Sequence, residues 1–576
     1  MEHARNQQEK PVTEPNLFSR RAFIKGCAAA VLLAGLPLDI DRLLADTGIA
    51  GGETDHLLMT WTGDPGTTRT VAWRANDPSV PGMAQYVRSD RFRNTGWKHA
   101  KNVTATIETV ESEKNPIIVN RTFLAGLEPG TAYTFRVGNG REWSRSFTFT
   151  TRRIEERPFS FLVFGDSQSG HVENPEYGPW GRTVNNAFRA NPDVKFMMNV
   201  GDLVEEGESR IHWEKWFEAA RSVLEKIPNM AVLGNHETYT STGTNHTVLP
   251  ASFRTQIALP PNGPAPLKGQ VYSFDYGNVH FSILDSQEKE EERYIPGMLR
   301  MQAEWLDRDL ASTRKKWKLV FFHKTLYYNK ASRANEALKA AFQPVIDRHS
   351  VDIVFNGHDH GYSRTWPIRE DTFTDSPAKG TVYLVTGRSG NKSYQDLSQK
   401  VWNAFFYDPQ TEPNYIVVKV DGNRLTVSAF TQSGRTIDRY TIDKARGTDQ
   451  PVTLLPERAT ETRLVVWGNM LRAPLLKVPP AMVAGTWHVP LRPFFEFIGG
   501  TVELRPDGKI AVRYEKSVMT FAVNSAEAFV NENRTALSMP IADSKGEPML
   551  PVVDLKTLAG FSTRYDDNMN MLFIAR

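Results

Sequence analysis

Cysteine is almost absent: the 576-residue chain has one, Cys27. A single thiol forms no intrachain disulfide and cannot build a thiolate metal site, so any metal must be held by oxygen and nitrogen ligands. An excess of charge is missing too. The formal net charge is only +3, which argues against a nucleic-acid coat function or a polybasic membrane anchor, since both need concentrated basic charge. Beyond the N-terminal stretch there is no apolar run of membrane-spanning length. What remains is ordinary globular composition, 40% hydrophobic and 23% charged. The length allows roughly three to five domains.

Against that plain background, five short apolar runs each end on a metal-type ligand. FSFLVFGD ends at Asp166 and KFMMNVGD at Asp202. NMAVLGNH ends at Asn235 and His236, WKLVFFH at His323, and VDIVFNGHDH at His358 and His360. Such runs, bounded by turns, predict buried strands. Open α/β sheets bind ligands at the carboxyl ends of their strands. Strands that each deliver Asp, Asn or His at that end therefore describe one convergent site. The glycines before Asp166, Asp202, Asn235 and His358 are expected to let the backbone turn sharply there.

The N-terminus reads as an address. Residues 19–25, SRRAFIK, precede the small apolar stretch GCAAAVLLAGLPL. The paired Arg20–Arg21 and the short apolar segment resemble a twin-arginine export signal over residues 1–50. That implies the twin-arginine export machinery as a partner and a periplasmic, cell-surface or secreted location. Cys27 precedes the apolar stretch and so does not read as a lipoprotein cysteine.

Residues 54–152 alternate in TVAWRA, TAYTFRV and SRSFTFTT, with turn signals between, and predict a β-sandwich. Residues 157–445 alternate apolar strands with helical patterns such as RIHWEKWFEAARSVLEK, which predicts a layered α/β domain. A linker is expected over 446–460. In 461–576 two stretches are weakly self-similar, with Pro490 matching Pro551, Gly500 matching Gly560 and Asp507 matching Asp566. Each repeat reads as a helix, a glycine stop and a strand–turn–strand, giving a small α+β module.

The motifs GDSQ, GDLVEEG, GNHE, FFHK and GHDH, in that order, resemble the calcineurin-like metallophosphoesterase superfamily. GHDHGYSR and TVYLVTGRSGN are similar to its purple acid phosphatase branch. FLAGLEPGTAYTFRVG resembles the fibronectin III-like domain that precedes the catalytic domain there, with Tyr133 a core or corner tyrosine. The C-terminal module resembles the one named after the N-terminal domain of copper amine oxidases. With His488 its only histidine, it has no copper site and reads as a structural or cell-wall-binding element. The resemblance implies a four-layer α/β-β/α sandwich for the catalytic domain and two divalent or mixed-valence metal ions. It implies Asp202 as the bridge, Asp166 and His360 completing the first site, and Asn235, His323 and His358 the second. His236 would contact the phosphate and protonate the leaving group, with Glu237 its partner. Two metals roughly 3.5–4 Å apart activate a water at neutral pH and clamp a phosphate.

Two positions depart from the pattern. Purple acid phosphatases carry a ligand tyrosine three residues after the bridging aspartate, where this chain has Glu205, so tyrosinate-to-iron charge transfer is expected to be absent. Other members place a histidine two residues after the first aspartate, where this chain has Gln168, a candidate metal or water ligand. Iron, manganese and zinc all stay open. Candidate substrate contacts are His171, Tyr177, His246 and Arg364, the last of which either meets the phosphate or pairs with a carboxylate. Phosphomonoesters are the favoured small-molecule substrates. A phosphodiesterase or nucleotidase is the alternative, and a non-catalytic surface-binding protein the rival class.

Overall fold

A computed structural model describes residues 56–576, apart from 76–78, 112–115, 156–157, 241–242, 331–332 and 334. The twin-arginine signal and Cys27 lie outside the described residues. Among those described, no helix is long and apolar enough to cross a membrane.

Alternation of inward apolar and outward polar residues shapes the N-terminal module. Phe147–Thr150, for example, buries Phe147 and Phe149 and exposes the threonines. Its strands form two four-stranded antiparallel sheets. Met59, Val71, Trp73, Phe135, Phe147 and Phe149 fill the space between them. Tyr133 is buried, and its hydroxyl accepts the Glu128 N–H at 2.9 Å, closing a corner.

The central domain's runs are apolar on both faces because both faces are covered. Strand Phe159–Phe164 shows the two-residue period: Phe161 meets Phe281 of the opposite sheet at 5.4 Å, while Phe164 meets Trp180 of an outer helix at 5.1 Å. Two seven-stranded sheets pack face to face. In the first, Asn229–Val232, Met197–Val200 and Phe159–Phe164 run parallel, and Asn414–Asp421 joins antiparallel. In the second, Val279–Ile283, Trp317–Phe321, Ile353–Asn356 and Val382–Thr386 run parallel. Helices Gly178–Ala190 and Arg210–Leu224 cover the first sheet, and Met298–Ser312 and Glu336–Arg348 the second. This is the four-layer sandwich. The first sheet continues into Thr448–Gln450, within the stretch read as linker, because that segment pairs with Thr441–Asp443.

The last module repeats a helix followed by two strands, although after the first helix the left-handed glycine is Gly499 (φ 89°) rather than Gly500. Helix Leu491–Phe497 leads into Thr501–Leu504 and Ile510–Tyr514, and helix Leu555–Ala559 into Ser562–Asp566 and Met571–Ala575. Gly560 ends the second helix at φ 74°. Val465, Met571 and Phe573 share a core with Tyr327, Tyr328 and Trp402, so the module docks on the catalytic domain.

Away from the site, His280 lies buried between Asp275 (2.8 Å) and Asp309 (2.9 Å). Ser273 and Ser282 donate to Asp309, and Lys315 lies 3.6 Å from Asp275. Burial opposes the imidazolium, but the two carboxylates outweigh it and raise His280 to about 9. A folded-state value above the unfolded one gives stability that is complete below about pH 6.5 and lost as pH rises through about 9. His280→Gln should lower the melting temperature clearly at pH 6.5 and much less at pH 9.5, as read by thermal denaturation across that range.

Candidate metal centre

All five predicted strands end at one place, between the two sheets. Asp202 belongs to two ligand clusters, one with His323 and His358 and one with Asp166 and His360. Within each cluster the ligand atoms lie within 4.8 Å of one another. His323 Nε2 is 3.1 Å from Asp202 Oδ2, His360 Nε2 is 3.2 Å from Asp166 Oδ1, and His358 Nδ1 is 3.2 Å from His323 Nε2. Two ligands of one metal with bonds near 2.0–2.1 Å stand about 3.0–3.4 Å apart. These atoms are thus spaced as edges of a coordination polyhedron.

The backbone is bent to achieve this. Asp166, Asp202, His358 and His360 all have positive φ, at 49°, 51°, 73° and 59°. Such a conformation costs a non-glycine residue about 1–3 kcal/mol and persists only where the surroundings impose it. The turning is therefore done by the ligands themselves. Of the preceding glycines only Gly201 has positive φ (84°). Gly234 is required for close approach instead, since a Cβ there would lie 2.1 Å from the Asp202 amide nitrogen.

Neighbouring groups fix the ligand rings. His323 Nδ1 donates to the Val200 carbonyl (2.8 Å) and His360 Nδ1 to the Lys392 carbonyl (2.9 Å), leaving each Nε2 toward the centre. Burial, then Arg333 and His323, hold His358 well below the usual histidine range, in the neutral form that ligates. Burial opposes charge on Asp202, but His323 and His236 keep it well below the usual carboxylate range.

Asn235 Oδ1 and Gln168 Oε1 are among the buried oxygens that have no hydrogen-bond partner among the described residues. An orphaned amide oxygen beside the Asp202–His323–His358 cluster is what a metal ligand looks like before the metal is counted. The Asn235 amide nitrogen donates to Tyr239 Oη at 2.8 Å, which fixes the amide. Gln168 Nε2 stands 3.1 Å from Asp202 Oδ2 and 3.4 Å from His360 Nε2, among the ligands of the first cluster. The donor set is oxygen and imidazole nitrogen, which suits iron, manganese or zinc.

His236 lies beside the clusters. Its N–H donates to Asp202 Oδ1 (2.9 Å), its Nδ1 donates to the Glu205 carbonyl (2.6 Å), and its Nε2 is 3.9 Å from Asp202 Oδ2. Glu237 does not orient this ring. It is fully buried and accepts the N–H groups of Asp202, Leu203, Val204 and Gly234, tying two ligand loops together. Burial and Asp202 push its carboxyl up to about 8, and those N–H donors pull the other way.

The remaining candidates are placed elsewhere. Arg364 is buried and pairs with Asp438 through Nε (2.9 Å) and NH2 (3.3 Å), so of its two readings it takes the carboxylate. Tyr177 is buried, with its hydroxyl bonded to His212 Nδ1 (2.9 Å) and the Glu205 N–H (3.1 Å); it braces the loop after Asp202 rather than facing substrate. His171 and His246 are exposed. Lys392 and Tyr394, just beyond the TVYLVTGRSGN motif, also belong to the site. Tyr394 stacks on His360 at 4.3 Å, and Lys392 Nζ is 3.0 Å from His236 Nε2. Both follow the Val382–Thr386 strand, and neither residue type marks a metal site, so no motif pointed to them. Glu205 spends Oε1 on Lys392 (2.7 Å) and Oε2 on the Gly170 N–H (2.8 Å).

Comparison with known proteins agrees with this architecture. Residues 54–151 match the family model of the purple acid phosphatase N-terminal domain, residues 159–362 that of calcineurin-like phosphoesterase, and residues 471–574 that of the copper amine oxidase N-terminal domain. Acid phosphatase type 7 of Mus musculus is 24% identical over 372 residues, covering 58% of this chain and 78% of that protein. Purple acid phosphatase 15 of Arabidopsis thaliana is 27% identical over 336 residues, 52% of this chain and 59% of that protein. A protein of the same plant named Probable inactive purple acid phosphatase 1 is 23% identical over 444 residues, 68% of each chain. The purple acid phosphatase PPD1 from yellow lupin seeds shares the fold, with a TM-score of 0.55 at 19% identity over 68% of this chain and 74% of that one.

Because Asp202 serves both clusters, Asp202→Ala should bind neither metal firmly, whereas His360→Ala should keep the metal of the His323–His358 cluster. Elemental analysis of the purified variants against the parent checks this. Full metal content in Asp202→Ala would contradict the shared role.

Proposed function

We propose that this chain, which carries a calcineurin-like phosphoesterase domain of the purple acid phosphatase-like family, is an exported, dinuclear metal-dependent phosphomonoesterase. The observation that carries the reading is Asp202, one carboxylate common to two ligand clusters. Two metal ions held there would supply Lewis acidity and a nucleophile at neutral pH. The chain's own residues do the rest. Asp166, His360 and Gln168 would hold one metal together with Asp202, and Asn235, His323 and His358 the other. His236, its ring fixed by the Nδ1 bond to Glu205, presents Nε2 to the leaving oxygen as general acid. Some relatives are named as inactive; here every aspartate, asparagine and histidine of the proposed ligand set stands at one centre, which favours an active enzyme. The preference for monoesters rests on the acid phosphatases among the relatives and on the matched N-terminal domain. Export rests on Arg20–Arg21 and the apolar stretch that follows. The C-terminal module is offered as the element that supports the catalytic domain and contacts the cell wall.

The test is hydrolysis of p-nitrophenyl phosphate against its bis-ester, by protein loaded in turn with manganese, zinc and iron. The monoester should be the faster substrate, and a chelator should abolish turnover. A faster diester would make the protein a phosphodiesterase, and no turnover with any metal would remove the catalytic reading. His236→Asn should retain metal and lower kcat by about 10²–10⁴. The iron-loaded protein should lack a visible tyrosinate charge-transfer band, since Glu205 replaces the tyrosine.

A further inference from the structure

We propose that Lys392 is a substrate-binding residue whose ammonium receives a phosphoryl oxygen of a phosphomonoester dianion beside His236; this rests on the phosphoesterase reading above. Lys392 Nζ stands 2.7 Å from Glu205 Oε1 and 3.0 Å from His236 Nε2. An ammonium has three N–H donors; Glu205 takes one, and His236 Nε2 takes a second only while that nitrogen is unprotonated, so at least one stays free. The lysine side chain is 21% exposed, against 7% for His236 and 8% for Glu205, so of the three it is the one most open to a ligand. His236 Nε2 is in turn 3.9 Å from the shared Asp202 carboxylate. A phosphate seated over the metals therefore comes within reach of the ammonium.

Two further cations act on the ligand His358, and each is paired with an acid of its own. Lys324 Nζ bonds Glu290 at 2.5 Å, and Arg333 bonds Asp359 (3.1 Å) and the His358 carbonyl (3.1 Å). Lys392 is also held in place by its backbone, because its carbonyl accepts from His360 Nδ1 and Asn391 N–H donates to the Gln168 carbonyl at 3.1 Å. One residue thus orients a metal-ligand ring through its carbonyl and faces the reacting group through its side chain. Glu205 has a definite part here. Alone, its buried carboxylate would repel a dianion; paired with Lys392, it fixes the ammonium.

That pairing dictates the test. Lys392→Met leaves the Glu205 charge uncompensated, so its loss alone would not separate phosphate binding from charge balance. The decisive variant is Lys392→Met with Glu205→Gln, which removes both charges. Each protein is loaded with manganese, its metal content is verified, and inorganic phosphate is titrated by calorimetry alongside kcat and KM for p-nitrophenyl phosphate. We expect unchanged metal content in the double variant, with phosphate affinity weakened and KM raised by about tenfold or more, the size of one charge-assisted hydrogen bond. Lys392→Arg should recover most of the loss. Phosphate binding by the double variant as tight as in the parent overturns the proposal and leaves Lys392 a counter-ion of Glu205. If the parent binds phosphate but hydrolyses neither ester, the phosphoesterase reading fails, while the binding comparison still decides the role of Lys392. A metal-loaded parent that binds no phosphate overturns both.

Discussion

The Asp202 carboxylate is the constraint around which the centre is organised. It is almost completely buried, and an ionised carboxylate out of water costs several kcal/mol unless it is compensated. Asp166 is equally buried. No lysine or arginine among the described residues bonds either of them. The cations of the rim each have their own acid: Lys392 has Glu205, Lys324 has Glu290 and Arg333 has Asp359. What meets Asp166 and Asp202 is backbone N–H, imidazole and the Gln168 amide. The interior therefore concentrates carboxylates and imidazole nitrogens at one point, which is the donor pattern that divalent cations complete. Left-handed φ values, a glycine at van der Waals contact and a buried glutamate collecting four N–H groups are the local costs of that concentration.

Much of this was legible in the sequence because strand chemistry and ligand chemistry coincide. An apolar run covered on both faces needs no alternation, so FSFLVF and KLVFF stand out, and the ligand type at each end declares which edge of the sheet faces the site. The alternation of strands and helices predicted a layered α/β domain, and the four layers came from the resemblance to metallophosphoesterases. The less legible residues act through groups that any loop could supply. Lys392 reaches His236 from the loop after Val382–Thr386, and a lysine in a polar stretch carries no signature. Glu237 followed a recognised motif but was assigned to the wrong neighbour, because its partners are backbone N–H groups that a sequence does not distinguish. Arg364 and Tyr177 look like phosphate and pocket residues by type. Their burial against Asp438 and against the Glu205 backbone is a consequence of packing alone.

The loop between Gly387 and Trp402 joins two parts of the molecule that read as separate in the sequence. At its start, Ser389 N–H donates to the Gly165 carbonyl (2.7 Å) and Gly390 N–H to the Asp166 carbonyl (3.0 Å), so it is stitched to the first ligand loop. Its middle carries Lys392 and Tyr394 to the site. Ser398 N–H then bonds the Asn329 carbonyl (3.1 Å), close to the segment that Asp359 gathers through the Asn329 and Lys330 N–H groups. At its end, Val401 N–H donates to the Gly468 carbonyl (2.9 Å), and Lys400 Nζ bonds Asn469 Oδ1 (2.9 Å). The Trp402 ring lies so close that a Cβ on Gly468 would sit 2.3 Å from it. Gly468 and Asn469 belong to the C-terminal module. That module therefore anchors the far end of the same loop whose near end orients His360 and faces His236. A loop held at both ends loses less conformational freedom when a ligand orders its middle, which makes the third module part of the site's preorganisation as well as a candidate for surface contact.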